Sequence, residues 1–173
     1  MPRVIDSILF ALRFSSRSFT DQAVNVMLAA RKHALKRRLH DITPDHVLFG
    51  VMALPRRCVG QVALRNRGLD LESAREEIRF AARSDSHPLD ESNTPPRVAP
   101  ETKQLVVRAQ EQAHGLGVNY VGTEHLVLAL LAGKGAAADF LCERGITAER
   151  FLAEIQKLYA GLHKSPSSDR RAG

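Results

Sequence analysis

The strongest constraint in this sequence is an internal repeat, because two segments align with each other at an offset of 79 residues. Residues 42–46 (ITPDH) align with residues 121–125 (VGTEH), and an aliphatic stretch follows each of them. The match has no gap from Phe19 to Met52, and it resumes at Arg67 once two residues of the intervening loop are dropped. The sequence therefore duplicates one supersecondary unit.

The repeat defines the predicted domain organisation. Repeat one spans 19–84, a polar linker with several prolines spans 85–97, and repeat two spans 98–162. A unit of this size is marginally stable alone, so we expect the two repeats to pack together as one pseudo-symmetric domain. Residues 1–18 are predicted to form a short amphipathic helix, and residues 163–173 a disordered tail.

Each repeat is predicted to form four helices, so the fold class is all-α with eight helices in the duplicated part. The chain is 44% hydrophobic but only 5% aromatic, with no Trp, and it shows no strand pattern. An aliphatic core rich in good helix formers fits that composition. In the first helix we expect Thr20 to be the N-cap, and the apolar stripe to consist of Val24, Met27, Leu28 and Leu35.

Helix boundaries recur at equivalent positions in the two repeats. Thr43 followed by Pro44 predicts the start of the second helix, since proline at the first helical position loses no hydrogen bond. Gly68 suits the end of the third helix, and Asp70 should cap the fourth. The second repeat uses Thr123, Gly145 and Thr147 in the same way. The aliphatic residues 47–52 and 126–131 are predicted to be core.

The motifs of common catalytic and cofactor sites are missing from the sequence. No phosphate-binding loop, dinucleotide fingerprint, zinc-protease pattern or nucleophile elbow is present, so we predict no enzyme activity, no cofactor and no metal. Cys58 and Cys142 are not equivalent in the repeats, and we interpret both as buried free thiols. No apolar run is long enough for a membrane span, and two cysteines suggest a reducing compartment, so we expect a cytoplasmic protein without a membrane partner.

The net charge of +6 is concentrated in the first repeat. Residues 19–84 carry twelve basic and seven acidic side chains, and five of the basic ones lie between Arg31 and Arg38. A solvated helix face is the simplest interpretation. Weak nucleic-acid binding through this basic repeat is an alternative, although no element that reads bases is recognisable.

The ITPDH and VGTEH motifs, together with Phe19-Thr20 ahead of the first helix, resemble the Clp N-terminal repeat over about residues 19–162. That domain is the duplicated four-helix module at the front of ClpA-, ClpB- and ClpC-type AAA+ unfoldases. The resemblance implies a non-catalytic module that binds adaptors or client proteins. We therefore expect an adaptor or regulator of Clp-type proteolysis, with a Clp-type AAA+ unfoldase or a Clp peptidase as partner.

The resemblance also implies candidate binding residues. In ClpC-type proteins the acid of each motif helps bind phosphorylated arginine, and the matching positions here are Asp45 and Glu124, with Thr123 beside the second. The first copy departs from the pattern, because Asp replaces Glu and Thr43-Pro44 replaces Gly-Thr. The resemblance therefore supports phosphoarginine binding less at the first copy than at the second, and binding at either copy requires its carboxylate to face outward.

Several alternatives stay open on the sequence alone. An acid in the first turn also stabilises a helix through its dipole, so Asp45 and Glu124 could be capping residues only. His46 and His125 are interpreted as packing or hydrogen-bonding residues of the core. The whole chain could also be a structural accessory of a Clp peptidase ring, as similar doubled modules are in plant plastids.

Overall fold

The computed structural model describes residues 18–55, 57–81 and 95–163, and these residues form eight α-helices and two very short strands. The predicted all-α fold with four helices in each repeat is confirmed. Most of the predicted N-terminal helix (1–18), most of the linker and all of the predicted tail except His163, which ends the last helix, lie outside the described residues. The helices of repeat one are α1 (Asp21–Lys36), α2 (Pro44–Ala53), α3 (Val59–Asn66) and α4 (Leu71–Ala81); those of repeat two are α5 (Pro100–Gly115), α6 (Thr123–Leu131), α7 (Ala136–Glu143) and α8 (Ala148–His163).

Local capping explains where several helices begin and end, as the sequence predicts. The Thr20 hydroxyl accepts a hydrogen bond from the Ala23 N–H (3.2 Å) at the start of α1. The Asp70 carboxylate accepts one from the Glu72 N–H (3.2 Å) at the start of α4. Gly68 follows α3 with φ of +85°, a conformation that a residue with a Cβ adopts only at a cost.

Helices α2 and α6 form the centre of the core. Residues 47 and 48 of α2 and residues 126–130 of α6 are at most 3% exposed, and α2 contacts α6 directly. The prediction that 47–52 and 126–131 are core is confirmed, with Phe49 and Leu131 half-buried. No single helix in the described ranges is long and apolar enough to cross a membrane. Helices α6 and α7, bent by 91° relative to each other, reach the required length and apolar composition only as a pair.

Two predictions about side-chain burial are wrong. Leu35 is 38% exposed, because a different face of α1, made largely of alanines, is turned toward the core. That face consists of Ala23, Val26, Met27, Ala30, His33 and Ala34. Cys142 is exposed near the end of the short helix α7, whereas Cys58 is buried as expected. Neither cysteine is in a disulfide.

Short backbone segments of the two repeats pair with each other, a feature that the sequence does not predict. Strand β1 (Asp41–Ile42) in repeat one pairs in parallel with β2 (Arg97–Val98) at the start of repeat two, so that Ile42 lies opposite Val98. In the same way Phe19 at the start of repeat one forms a bridge with Val121 in repeat two. The two pairings are equivalent, because Ile42 corresponds to Val121 and Phe19 to Val98 at the offset of 79 residues. The first segment of each repeat therefore pairs with the loop before the central helix of the other repeat.

Helix packing also crosses between the repeats. Helix α3 of repeat one packs on α6 and α8 of repeat two, and α7 of repeat two packs on α2 of repeat one. The Gly60 N–H in α3 donates a buried hydrogen bond to the Thr123 hydroxyl at the start of α6 (3.0 Å). The core is therefore continuous between the two repeats, as the marginal size of one unit led us to expect.

The same histidine cap begins both central helices. The His46 ring nitrogen Nδ1 accepts a hydrogen bond from the Thr43 N–H (3.0 Å), and Nδ1 of His125 accepts one from the Gly122 N–H (2.8 Å). Because Nδ1 is the acceptor, each neutral ring carries its proton on Nε2. This confirms that both histidines are hydrogen-bonding residues of the core, since His46 is fully buried and His125 is 1% exposed.

Burial keeps these rings uncharged. Desolvation, followed by the positive charges of His33 and Arg37, lowers the pKa of His46 to about 4. Desolvation also lowers the pKa of His125, although the Glu124 carboxylate acts in the opposite direction. A proton added at Nδ1 would remove the acceptor that the cap requires, so charging these rings opposes folding.

Helices α1 and α2 approach each other closely at Gly50. A Cβ placed on Gly50 would lie 2.5 Å from the Val26 carbonyl oxygen and 3.3 Å from the Ala30 nitrogen. Both are backbone atoms of α1, so a side-chain rotation cannot relieve the contact. Glycine is therefore required here despite its cost in the middle of a helix.

We predict that Gly50→Ala lowers the free energy of unfolding by about 1–3 kcal/mol, because α1 and α2 must move apart. Urea denaturation followed by circular dichroism measures this. Gly115→Ala is the matched control, since a Cβ there meets nothing within 4 Å. The control should be neutral or stabilising by up to about 1 kcal/mol, because alanine is the better helix former. Equal losses in the two variants would contradict the close approach.

We also predict that stability falls as the pH drops from 6.5 toward 4. The His46 ring has a pKa of 6.5 in the unfolded chain and about 4 in the folded one, so the unfolded chain binds the extra proton in this range. In His46→Gln, which cannot titrate, the loss of unfolding free energy over this range should be smaller by on the order of 2–3 kcal/mol. Urea denaturation at several pH values measures the slope.

The exposed residue His114 provides the control for this experiment. His114→Gln should reproduce the pH dependence of the unsubstituted protein. A His46→Gln variant with an unchanged slope would show that another group causes the acid sensitivity.

Candidate functional site

The two predicted acidic positions occupy the first turns of α2 and α6, at equivalent places in the two repeats. Asp45 precedes the capping His46, and Glu124 precedes the capping His125. Since the backbone of the two turns is built alike, the environments of the two carboxylates can be compared directly. The structure makes those environments different.

Glu124 is buried and bonded within the protein. Its side chain is 3% exposed, and its Oε1 atom accepts a hydrogen bond from the Tyr159 hydroxyl of α8 (2.7 Å). Its Oε2 atom accepts a longer one from the Thr123 hydroxyl (3.4 Å). The carboxylate lies over Gly122, where a Cβ would be only 2.6 Å from Oε2. A binding role requires this carboxylate to face outward, and here it does not.

The neighbours of Glu124 are also held by hydrogen bonds within the protein. Thr123 is 2% exposed, and its hydroxyl accepts the Gly60 N–H as well as facing Glu124. Burial, and then the hydrogen bond to Glu124, raises the pKa of Tyr159, so this hydroxyl keeps its proton and remains the donor. Contacts from α3 and α8 therefore cover the second copy of the motif, so that a ligand cannot reach the Glu124 carboxylate directly.

Asp45 lies in an open pocket of about 420 Å³. Two further acidic residues line this pocket, Asp41 from β1 and Glu101 from the first turn of α5, and so does Lys134 from the loop before α7. Asp41 also faces Arg97 at 3.9 Å, with the arginine largely exposed. Three acidic residues and one lysine around the same pocket favour a ligand that has both a cationic and an anionic part.

The pocket is built by both repeats, which explains what the sequence missed. Asp41 and Asp45 come from repeat one, whereas Glu101 and Lys134 come from repeat two. The pairing of β1 with β2 brings the start of α5 to the start of α2, and α7 packs on α2 beside them. No signal within a single repeat indicates this neighbourhood, so Asp45 is the one residue of this pocket that the sequence predicts as a binding residue.

The described residues contain no group of three or more His, Cys, Asp or Glu side chains arranged to hold a metal ion. The carboxylates around Asp45 line an open pocket rather than converging on one point. The charged residues that line the pocket suit the binding of a charged group by ion pairs and hydrogen bonds.

Comparisons with known proteins agree with the fold. Residues 18–144 match the family model for the Clp repeat (R) N-terminal domain. The chloroplastic chaperone protein ClpC3 of Oryza sativa is 36% identical over 121 residues, which are 69% of this chain and 12% of that protein. The chaperone protein ClpB of Oceanobacillus iheyensis is 26% identical over 156 residues, which are 90% of this chain and 19% of that protein. The chain thus spans less than a fifth of the length of these relatives.

Solved structures show the same architecture. The N-terminal domain of the ClpV1 ATPase from Escherichia coli superposes with a TM-score of 0.68 at 15% identity, covering both chains completely. A ClpV N-domain solved in complex with a VipB peptide gives a TM-score of 0.64 at 18% identity, covering 87% of this chain and 91% of that one. At such identities the likeness concerns the fold. Since the family model covers most of the sequence, this chain belongs to the Clp repeat N-terminal domain family.

Proposed function

We propose that this chain is a non-catalytic protein-binding module that serves as an adaptor or regulator of Clp-type proteolysis, and that its ligand pocket is the one around Asp45. As a Clp N-domain it resembles the domains of Clp ATPases that bind substrates and adaptors. The observation that carries the proposal is the open, charged pocket at the start of α2.

The chemistry of the pocket fits an arginine side chain that carries a phosphate. A carboxylate and a guanidinium form two parallel, charge-assisted hydrogen bonds, and Asp41, Asp45 and Glu101 supply carboxylates. Lys134 and the N-terminal end of α7, where Gly135 and Ala136 line the pocket, offer positive potential for the phosphate. Phosphoarginine is the ligand that the resemblance to ClpC-type proteins implies.

The first copy of the motif is the better candidate, which reverses the preference drawn from the sequence. The shorter side chain of Asp45 is compensated by Asp41 and Glu101, which lie in the same pocket. The longer side chain of Glu124 is held by Tyr159 instead. A ligand at the second copy would have to displace that hydroxyl before it could reach the carboxylate.

The partners that follow from this function are a Clp-type AAA+ unfoldase or a Clp peptidase, together with adaptor or client proteins in the cytoplasm. Purified unfoldase, purified peptidase and a denatured client should be tested separately against this chain by size-exclusion chromatography. Binding to the unfoldase or the client supports the proposed role. Binding to the peptidase alone would favour a structural accessory of the peptidase ring.

We predict that Asp45→Asn weakens the binding of free phosphoarginine by about tenfold or more, since hydrogen bonds to charged groups contribute about 1.5–3 kcal/mol. Glu124→Gln should leave the affinity unchanged, because residue 124 is buried behind Tyr159. Isothermal titration calorimetry measures both affinities. Glu111→Gln, on the exposed surface of α5, is the control for the loss of one negative charge.

Unmodified arginine and phosphoserine separate the contributions of the guanidinium and of the phosphate. Each should bind more weakly than phosphoarginine. Loss of binding in Glu124→Gln but not in Asp45→Asn would place the ligand at the second copy, and an absence of binding to every variant would rule out phosphoarginine as the ligand.

A further inference from the structure

We infer that a second binding surface, here called the basic groove, binds an acidic protein segment. In that segment an apolar residue stands between acidic ones, and its side chain inserts into the groove. The basic groove is a recess of about 660 Å³ between α1, α2 and α4. Its rim carries Lys32, Lys36 and Arg37 from α1, and Arg75 and Glu76 from α4. It shares no lining residue with the pocket around Asp45, so the inference goes beyond the function proposed above.

The cations of the groove line one recess, and two of them, Lys32 and Lys36, are exposed. Lys32 and Lys36 are four residues apart on α1, so they project from the same face of the helix. Arg75 reaches the same recess from α4, and its guanidinium also contacts the Glu72 carboxylate at 3.5 Å. The simple interpretation of a solvated helix face does not account for a contribution from a second helix.

The helix dipole explains only part of this arrangement. A basic residue in the last turn of a helix is stabilising, which accounts for Lys36. Lys32 lies a full turn earlier, and Arg75 lies in the first half of α4. Four basic residues and one acidic residue, Glu76, line the recess, and Glu72 lies beside Arg75. Basic residues remain in excess, which gives the recess a positive potential that the fold itself does not require.

The internal repeat provides a comparison within the same molecule. At the offset of 79 residues, Lys32, Lys36 and Arg37 correspond to Glu111, Gly115 and Leu116. The second repeat forms the same helix pair without any of these charges. The charges of the basic groove are therefore a property of repeat one alone.

The floor of the groove is apolar and aromatic. The rings of Phe49 and His33 stack with centroids 3.8 Å apart at an angle of 17°, and Ala29 and Ala53 complete the floor. Phe49 is half-buried and lines the recess, where a ligand can contact it. A cationic rim around an apolar floor complements a peptide with an apolar residue between acidic ones.

A nucleic acid fits this surface less well. Phosphate contacts to nucleic acid are spread along a backbone, and affinity grows with their number. The cations here surround one short recess, and Glu76 on its rim repels phosphate. We therefore assign the basic groove to a protein segment and use an oligonucleotide as a competing ligand in the test.

The test measures the binding of a short synthetic peptide, with a leucine between two pairs of acidic residues, by isothermal titration calorimetry at low ionic strength. The unsubstituted protein should bind it, and added salt should weaken the binding. The double variant K32E/K36E should bind at least about tenfold more weakly, because two attractions become repulsions. The milder K32Q/K36Q should show an intermediate loss, and thermal unfolding checks that both variants fold.

Matched controls test whether the binding is specific to the basic groove. The variant K103E/K157E makes the same change in net charge on exposed positions of repeat two, and it should keep the affinity within about twofold. Asp45→Asn should also keep it, so the basic groove and the pocket around Asp45 can fail independently. A peptide with glycine in place of leucine should bind more weakly, since it cannot contact the apolar floor.

Three results would overturn the inference. The first is no binding of the acidic peptide to the unsubstituted protein. The second is an equal loss in K32E/K36E and K103E/K157E, which would indicate general electrostatic attraction. The third is tighter binding of oligothymidylate than of the peptide, abolished in K32E/K36E, which would assign the groove to nucleic acid.

Discussion

The pairing of backbone segments between the repeats holds this structure together. Val98 pairs with Ile42, and Phe19 is bridged to Val121, so the first residues of each repeat belong to the core of the other. The Ala99 N–H donates to the Ile42 carbonyl (3.2 Å), and the Thr20 N–H donates to the Val121 carbonyl (3.0 Å), which fixes where α5 and α1 begin. The pairing of β1 with β2 places the first turn of α5 beside the start of α2, so the Asp45 pocket depends on this pairing.

Duplication left the two repeats with the same scaffold and different surfaces. Both copies keep the histidine that caps the central helix, since this interaction starts the buried helix. The acids beside those histidines have separate environments, with Glu124 bonded to Tyr159 and Asp45 in an open pocket. The basic residues of α1 also have no counterparts in α5. Core contacts restrain what a residue can become, whereas exposed positions are free to acquire distinct binding properties.

Much of the fold could be predicted because its signals are local. Thr20, Gly68 and Asp70 act on neighbouring backbone groups, so the chain order alone reveals them. The burial of Leu35 was predicted wrongly because helical spacing defines a stripe but not which stripe faces the core. The exposure of Cys142 was missed for a similar reason, since α7 is short and one of its faces remains in solvent.

The sequence by itself determined the duplication, the eight helices, the buried central pair and the positions of the two acids. These follow from periodicity and from interactions over a few residues, and they need no knowledge of what packs against what. Only the tertiary structure decided that Glu124 is closed, that Asp45 shares a pocket with Glu101 and Lys134, and that Arg75 joins Lys32 at one recess. The physical reason is that burial, pocket shape and clustered charge arise from residues far apart in the chain, which meet only when the repeats exchange segments and the helices pack.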